Sequence, residues 1–311
     1  MTDVTVPARG AYADLNELIA LRFPARQLDL ARRNRALSKL AGPNKSNFRG
    51  RGIDFEEVRV YQPGDDIRTI DWRVTARTGS AHTKLFREER ERPVLVVVDQ
   101  RSSMFFGSSH CFKSVLATQL ASLIAWSALD AGDRVGGLVF DGIQHREIRP
   151  RRSRKTVLGL LSQISAYNHA LPLTSASAPD SFATMLANLR RIARPGTSLF
   201  LISDFGGASQ EHAREHLFQL AQHTELTAVA CTDPMESRLP KAGKYAVTDG
   251  SERSELYTAD RKLRNTYQQH FQQHRDVLCQ DFLRLGIPML QATTDRAPFT
   301  LLQEFYGNQR R

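Results

Sequence analysis

The sequence predicts a doubly wound α/β protein with a mostly parallel sheet, on three observations. Several short apolar runs, Val94-Leu95-Val96-Val97-Val98 the clearest, have the uninterrupted β-branched character of strands buried on both faces. They alternate with longer segments whose apolar residues recur at helical spacing. Two of the runs end in an acid and a polar or glycine-bearing turn: Asp99-Gln100-Arg101-Ser102-Ser103 and Ser203-Asp204-Phe205-Gly206-Gly207. Open parallel sheets build their sites at such strand ends.

The elements follow from the same patterns. Leu15, Leu18, Ile19 and Leu21, then Leu28, Leu30, Leu37 and Leu40, suggest one or two short amphipathic helices before Gly42-Pro43-Asn44 ends them, which makes 1–46 a basic helical N-terminal arm. Residues 47–92 read as a small β-rich segment, with Val58-Arg59-Val60-Tyr61 and Thr83-Lys84-Leu85-Phe86 as alternating pieces and Pro63-Gly64 as a turn. From 93 to 311 the strand and helix pattern takes over. Strands are expected over 94–98, 134–140, 197–202, 226–231 and 287–291, with an added edge strand over 144–149. Helices are expected over 112–129, 156–164, 181–192, 211–222 and 260–285.

The chain of 311 residues is 41% hydrophobic, enough for a sizeable core. Its most apolar stretch, 116–131, is broken by Thr118, Gln119, Ser122, Ser127 and Asp130, so no bilayer-spanning helix is expected. The N-terminus carries Asp3, Arg9, Asp14 and Glu17 rather than a basic patch followed by an apolar block, and a cytoplasmic location is expected. Cys111, Cys231 and Cys279 are far apart and form no CxxC pair, which suits reduced structural thiols. The formal charge is +10, and between Arg22 and Arg51 nine cations face Asp29 alone. Such a block is either a solvated face or a surface for nucleic acid, an anionic membrane or an acidic protein.

Asp99 and Asp204 either share one crevice or each cap a following helix. Asp65, Asp66 and Asp71 are interleaved with Arg59, Arg68, Arg73 and Arg77, which suits an ion-pair network and turn closure better than a two-metal phosphoryl-transfer site. His212-Ala213-Arg214-Glu215-His216 matches the inverted zinc-protease spacing, and His270 and His274 are four apart, but the first helix is polar almost throughout and lacks the dry wall a catalytic zinc needs. Gly50 and Gly52 lack the third glycine of a dinucleotide fingerprint. There is no phosphate-binding loop of the Walker type and no nucleophile elbow.

A long signature is more specific than any of these. It runs Gly50-Arg51-Gly52-Ile53-Asp54-Phe55, then Val58-Arg59-Val60-Tyr61-Gln62-Pro63-Gly64-Asp65-Asp66-Ile67-Arg68-Thr69-Ile70-Asp71-Trp72, then Thr75-Ala76-Arg77 and Phe86-Arg87-Glu88-Glu89. It resembles domain of unknown function 58, a bacterial family found beside MoxR-type AAA+ ATPases. The resemblance continues through a von Willebrand factor A-like domain beginning at Asp99 and a segment Asp233-Pro234-Met235-Glu236, and covers most of the chain beyond about Asn47. It implies a von Willebrand factor A-like sheet and an accessory protein that works with the ATPase in the maturation or assembly of client proteins, metal-cofactor insertion among them.

Such domains hold Mg²⁺ with an Asp-x-Ser-x-Ser loop, a Thr and a second Asp, and a partner carboxylate completes the sphere. Asp99, Ser103 and Asp204 match that pattern, while Arg101 stands at the first Ser position. Asp180 falls near the expected Thr, with Thr174 and Ser177 as alternatives. Either the Arg101 guanidinium takes the place of the metal among Asp99, Asp180 and Asp204, or it turns outward and leaves those acids and Ser103 to Mg²⁺.

The expected function is therefore a non-catalytic adaptor that docks a MoxR-type ATPase and a client through Asp99, Arg101, Ser103 and Asp204, with no firm cofactor and Mg²⁺ as the one candidate ion. ATP hydrolysis would come from the partner. A peripheral membrane role would likewise come through partners. The rivals are a metal-dependent phosphodiesterase or nuclease using the strand-end aspartates, and a nucleic-acid-binding protein using the basic arm. Against the last, Phe23 and Phe48 are the arm's only aromatics.

Overall fold

The computed structural model describes residues 4–30, 54–62, 65, 69–87, 92–170, 181–248 and 253–307. The chain divides into two compact units, Asn47–Glu91 on the one hand and Met1–Ser46 with Arg92–Arg311 on the other. In the smaller unit, β1 (Asp54–Val60) and β2 (His82–Arg87) pair antiparallel, and α3 (Trp72–Thr78) lies between them in sequence. Asp71 caps α3 by accepting from the backbone N–H groups of Arg73 and Val74 at 3.0 and 3.2 Å. Gly79 ends the helix in the left-handed conformation at φ 74°.

The larger unit is built on a six-stranded sheet in the order β10-β7-β6-β3-β4-β5. These strands are β3 (Pro93–Asp99), β4 (Arg134–Phe140), β5 (His145–Arg151), β6 (Ser198–Ser203), β7 (Glu225–Thr232) and β10 (Met289–Thr293). All neighbours are parallel except β4 and β5, which are joined by a short turn and pair antiparallel at the sheet edge. The chain is an α/β protein with a mostly parallel central sheet.

Strand alternation sends Val94, Val96 and Val98 to one face and Leu95 and Val97 to the other, and each face has its own core. On the first lie α4 (Lys113–Asp130), α5 (Arg154–His169) and α10 (Pro298–Tyr306). On the second lie α6 (Ser181–Ile192), α7 (Glu211–His223) and α9 (Arg261–Arg284). The one-turn helix α8 (Pro234–Ser237) follows β7, and the hairpin β8 (Lys244–Thr248) and β9 (Arg253–Tyr257) precedes α9. This hairpin and α10 are absent from the sequence-based expectation.

The described part of the expected N-terminal arm belongs to the larger unit rather than standing apart from it. Helices α1 (Leu15–Ala20) and α2 (Arg22–Ala25) pack on α4, and Leu18, Leu21, Ala25, Leu28 and Leu30 join the first core. Each fully buried leucine contributes about 1.5–3 kcal/mol, which holds the segment on the α/β unit rather than leaving it as a free arm. Two of the polar residues that interrupt the apolar stretch of α4, Ser122 and Ser127, meet this segment. Ser122 Oγ and Trp126 Nε1 donate to the Leu18 carbonyl at 2.6 and 3.2 Å, and Ser127 Oγ donates to the Leu28 carbonyl at 3.0 Å. With the sheet beneath and the segment above, α4 is buried nearly all round. Among the described residues no helix is long and apolar enough to cross a membrane.

Candidate functional site

Asp99 is the last residue of β3 and Asp204 follows β6, the adjacent strand. The chain leaves β3 toward β4 on one side and returns to β6 on the other, so the two acids flank the point where the winding reverses. Asp99 shares the strand face of Leu95 and Val97 and is fully buried. A buried carboxylate must have its oxygens satisfied. Here Oδ1 accepts the Arg101 backbone N–H at 2.9 Å and Oδ2 accepts Ser203 Oγ at 2.6 Å.

The Arg101 side chain completes that shell. Its Nε lies 3.1 and 3.0 Å from the two Asp99 oxygens, and one terminal nitrogen donates to Asp99 Oδ2 at 2.7 Å and to Asp204 Oδ1 at 3.3 Å. The other donates to the Gly206 carbonyl at 2.9 Å. The guanidinium carbon stands 4.8 Å from the Phe182 ring centre and 5.7 Å from that of Phe140, so its remaining surroundings are aromatic. With its side chain only 8% exposed, Arg101 is turned inward.

A second cation enters from the start of α4. Lys113 Nζ reaches Asp204 Oδ2 at 3.3 Å and Glu236 Oε1 at 2.5 Å, and Glu236 Oε2 accepts the Asp233 N–H at 2.8 Å. Asp233 caps α8 and accepts from the Ser108 backbone N–H at 2.9 Å. The crevice thus holds Asp99, Asp204 and Glu236 against Arg101 and Lys113, and ties together the loops after β3, β6 and β7.

Its electrostatics are set by competition between burial and pairing. Burial pushes the Asp204 carboxyl up, but the Lys113 and Arg101 charges, the Gly206 N–H and the Ser103 hydroxyl outweigh it and hold the group below its ordinary value of 3.8. Burial pulls Lys113 and Arg101 down, and their acidic neighbours, Asp204 and Glu236 for Lys113 and Asp99 and Asp204 for Arg101, more than restore them. A lowered acid contributes stability that is complete above its unfolded value and disappears as pH falls through the folded one. A raised base contributes below its unfolded value and is lost only as pH rises beyond it. We therefore expect the crevice's contribution to be flat from about pH 5 to about pH 9 and to fail below about pH 4. Thermal melting against pH checks this, with Asp204→Asn as the variant that loses the Asp204 part of the acid limb; an identical acid limb in that variant overturns the assignment.

Ser103 is exposed at the rim. Asp180, Thr174 and Ser177 lie outside the described residues, as do Gly50, Gly52, Asp66 and the basic residues beyond Arg26 in the arm. Lys113 and Ser203 escaped the sequence reading. The signal for Lys113 was available, since no other charge occurs between it and Asp130 in the helix. Glu236 was noted only as part of a signature.

The donor set decides what the crevice holds. Mg²⁺ requires about six oxygen ligands in near-octahedral array. The oxygens of Asp99 and Asp204 instead receive a guanidinium, an ammonium, a hydroxyl and backbone N–H groups, so the described residues of the crevice do not fit the metal. Among the described residues no group of three His, Cys, Asp or Glu side chains is placed to hold a metal ion.

The other candidate motifs stand apart from the crevice. Asp65 accepts from Arg59 at 2.7 Å and from the Gln62 N–H at 2.9 Å, and these contacts lower its carboxyl value. His216 Nδ1 lies 3.0 Å from an Arg190 terminal nitrogen; burial and that charge lower the imidazole, and a neighbouring cation opposes zinc. His270 and His274 are exposed on α9.

Comparison with known proteins places the chain. The family model described as protein of unknown function DUF58 matches residues 57–277. The chain belongs to this family. Its DUF58 match runs from within β1 through most of α9 and therefore includes the whole crevice. Relatives along the full chain are the uncharacterized proteins Rv1480 of Mycobacterium tuberculosis and Mb1516 of Mycobacterium bovis, each 29% identical over 320 residues that cover 100% of this chain and 98% of theirs. Among solved structures, the conserved hypothetical protein BatB of Bacteroides thetaiotaomicron aligns at TM-score 0.41 and 15% identity, over 68% of this chain and 96% of that one. An aerotolerance-related membrane protein of Bacteroides fragilis aligns at TM-score 0.44 and 13% identity, over 69% and 96%.

Proposed function

We propose that this DUF58 chain is a non-catalytic adaptor, cytoplasmic, that works with a MoxR-type AAA+ ATPase in the maturation or assembly of client proteins. Its docking face is the strand-end crevice of a von Willebrand factor A-like domain in which Arg101 stands in for the metal ion. The observation that carries this reading is the Arg101 guanidinium itself, seated between Asp99 and Asp204 and held also by the Gly206 carbonyl. A positive charge that elsewhere would be supplied by a cation is here covalently part of the chain. Ser103, Asp204 and Glu236 at the rim present the surface, while Asp99, Arg101 and Lys113 fix it from beneath. The AAA+ partnership rests on the signature from Gly50 to Glu89.

The test is a titration of the cognate MoxR-type ATPase with this chain, with and without EDTA, together with calorimetry of Mg²⁺ into metal-stripped protein. Wild-type protein is expected to bind the ATPase equally in EDTA and to give no Mg²⁺ heat, and Arg101→Ser to lose about tenfold or more in ATPase affinity. Loss of ATPase binding in EDTA, or Mg²⁺ binding by the wild type that Asp99→Ala abolishes, overturns the metal-free docking face. Unchanged affinity in Arg101→Ser removes the crevice from the interface.

A further inference from the structure

At the opposite end of the sheet the surface has a different character. Arg134 opens β4, and Arg151, the last residue of β5, pairs with Val135 beside it. Arg152 follows, and Arg154 and Lys155 begin α5. From Arg149 to Lys155 there are five cations and no acid, and all five are exposed. Arg134, Arg149, Arg151, Arg154 and Lys155 have no ion-pair partner among the described residues. Helix α2 and its C-cap bring two more arginines, Arg22 and Arg26, to the same end. Arg22, Phe23, Arg26, Trp126, Asp130 and Arg154 line a pocket of about 360 Å³, whose one ion pair among the described residues is the exposed Arg26–Asp130 contact at 3.7 Å. Phe23 is 57% exposed, and the Arg22 guanidinium lies 4.5 Å from its ring centre.

We infer that this end of the sheet binds single-stranded nucleic acid without sequence preference. The cations are almost all arginines, whose planar forks fit phosphate oxygens better than ammonium groups do. Phe23 offers a ring face on which a base stacks, and the pocket beside it admits one base between the aromatic side chains and the arginines. Arg134, Arg149, Arg151 and Lys155 then follow the backbone away from the pocket along the β5 edge and the start of α5. An anionic membrane is the weaker match, because interfacial binding needs an apolar face and Phe23 is the only strongly exposed apolar side chain lining this pocket. An acidic polypeptide would use the arginines but not the ring. The surface lies about 20 Å from the Asp99 crevice, the length of a seven-residue strand, and is independent of the docking reading.

The experiment is fluorescence anisotropy of the full chain with a labelled oligothymidylate and an oligouridylate of about 16 nucleotides across a salt series. Both are expected to bind, with affinity falling steeply as salt rises and a log–log slope of about −0.7 per phosphate contacted. Arg151→Glu combined with Arg154→Glu lowers affinity at least about tenfold and flattens the slope. Phe23→Ala lowers affinity about tenfold at unchanged slope, and Phe23→Trp restores it. These positions are on the surface, so melting temperatures should stay within a few degrees of wild type. Oligonucleotide binding that ignores both the arginine pair and Phe23 overturns the inference. So does binding confined to phosphatidylserine vesicles, or to polyglutamate, run as parallel arms.

Discussion

Replacing Arg101 by alanine lowers the stability of the larger unit by about 3–5 kcal/mol, the range seen when one partner of a buried ion pair is removed. The loss does not come from the attraction alone. Asp99 is fully buried, and without the guanidinium it keeps only one hydroxyl and one backbone N–H against a full negative charge. The Gly206 carbonyl loses its donor at the same time. Arg101→Lys does not rescue the protein, since an ammonium cannot span both Asp99 oxygens, Asp204 and the Gly206 carbonyl. Arg101→Met combined with Asp99→Asn recovers much of the loss, because the unpaired carboxylate is the costly species. The urea midpoint of each variant at neutral pH measures this. A loss under about 1 kcal/mol in Arg101→Ala, or no recovery in the double variant, contradicts the assignment of Arg101 as the crevice's internal counter-ion.

Gly137→Val is expected to cost at least about 3 kcal/mol and to abolish soluble expression if the margin is small. A Cβ on Gly137 would lie 2.4 Å from the Val96 carbonyl oxygen and 2.8 Å from Leu160 Cδ1. One on the neighbouring Gly136 would lie 2.5 Å from the Ile148 carbonyl oxygen and 2.6 Å from the Pro150 nitrogen. The pair lets β4 lie close against β3, α5 and an edge strand whose register shifts between Val135 and Gly137. The effect reaches the crevice, for β4 ends in Phe140, whose ring faces Arg101 and whose carbonyl accepts the Gln100 N–H at 2.8 Å. Even Gly137→Ala should lower the melting temperature measurably; a variant with an unchanged midpoint would show that the backbones are not in contact there.

The strands were legible because burial on both faces leaves no polar alternation to disguise them, and β3, β4, β6 and β7 lie within two residues of the expected bounds. Helix α6 coincides with its expected span for a related reason, its apolar residues Phe182, Met185, Leu186 and Leu189 following one stripe. Helix α10 was hidden because Pro298-Phe299-Thr300-Leu301-Leu302 is too short an apolar run to separate helix from strand by period. The hairpin of β8 and β9 is mostly exposed and carries little apolar pattern at all. At the crevice, Asp99, Arg101 and Asp204 stood out by following apolar runs, whereas Lys113 and Ser203 acquire their roles only through contacts between segments distant in sequence. The buried chain from the Ala13 N–H through Asn168 and Gln100 to the Ser114 carbonyl is invisible to sequence for the same reason.

Phe205, the residue after Asp204, sits at φ 60°, in the left-handed region that side-chain-bearing residues avoid at a cost of about 1–2 kcal/mol. The surrounding contacts impose it: the Phe205 N–H donates to Ser203 Oγ, and the ring packs edge-on against Phe182 and Phe282. With the Gly206 carbonyl thereby aimed at Arg101, the turn cannot relax without dismantling the ion pairs of the neighbouring loops. The entropic cost of ordering this surface is met when the chain folds, so a molecule that docks there meets a rigid template and keeps more of its contact energy as affinity.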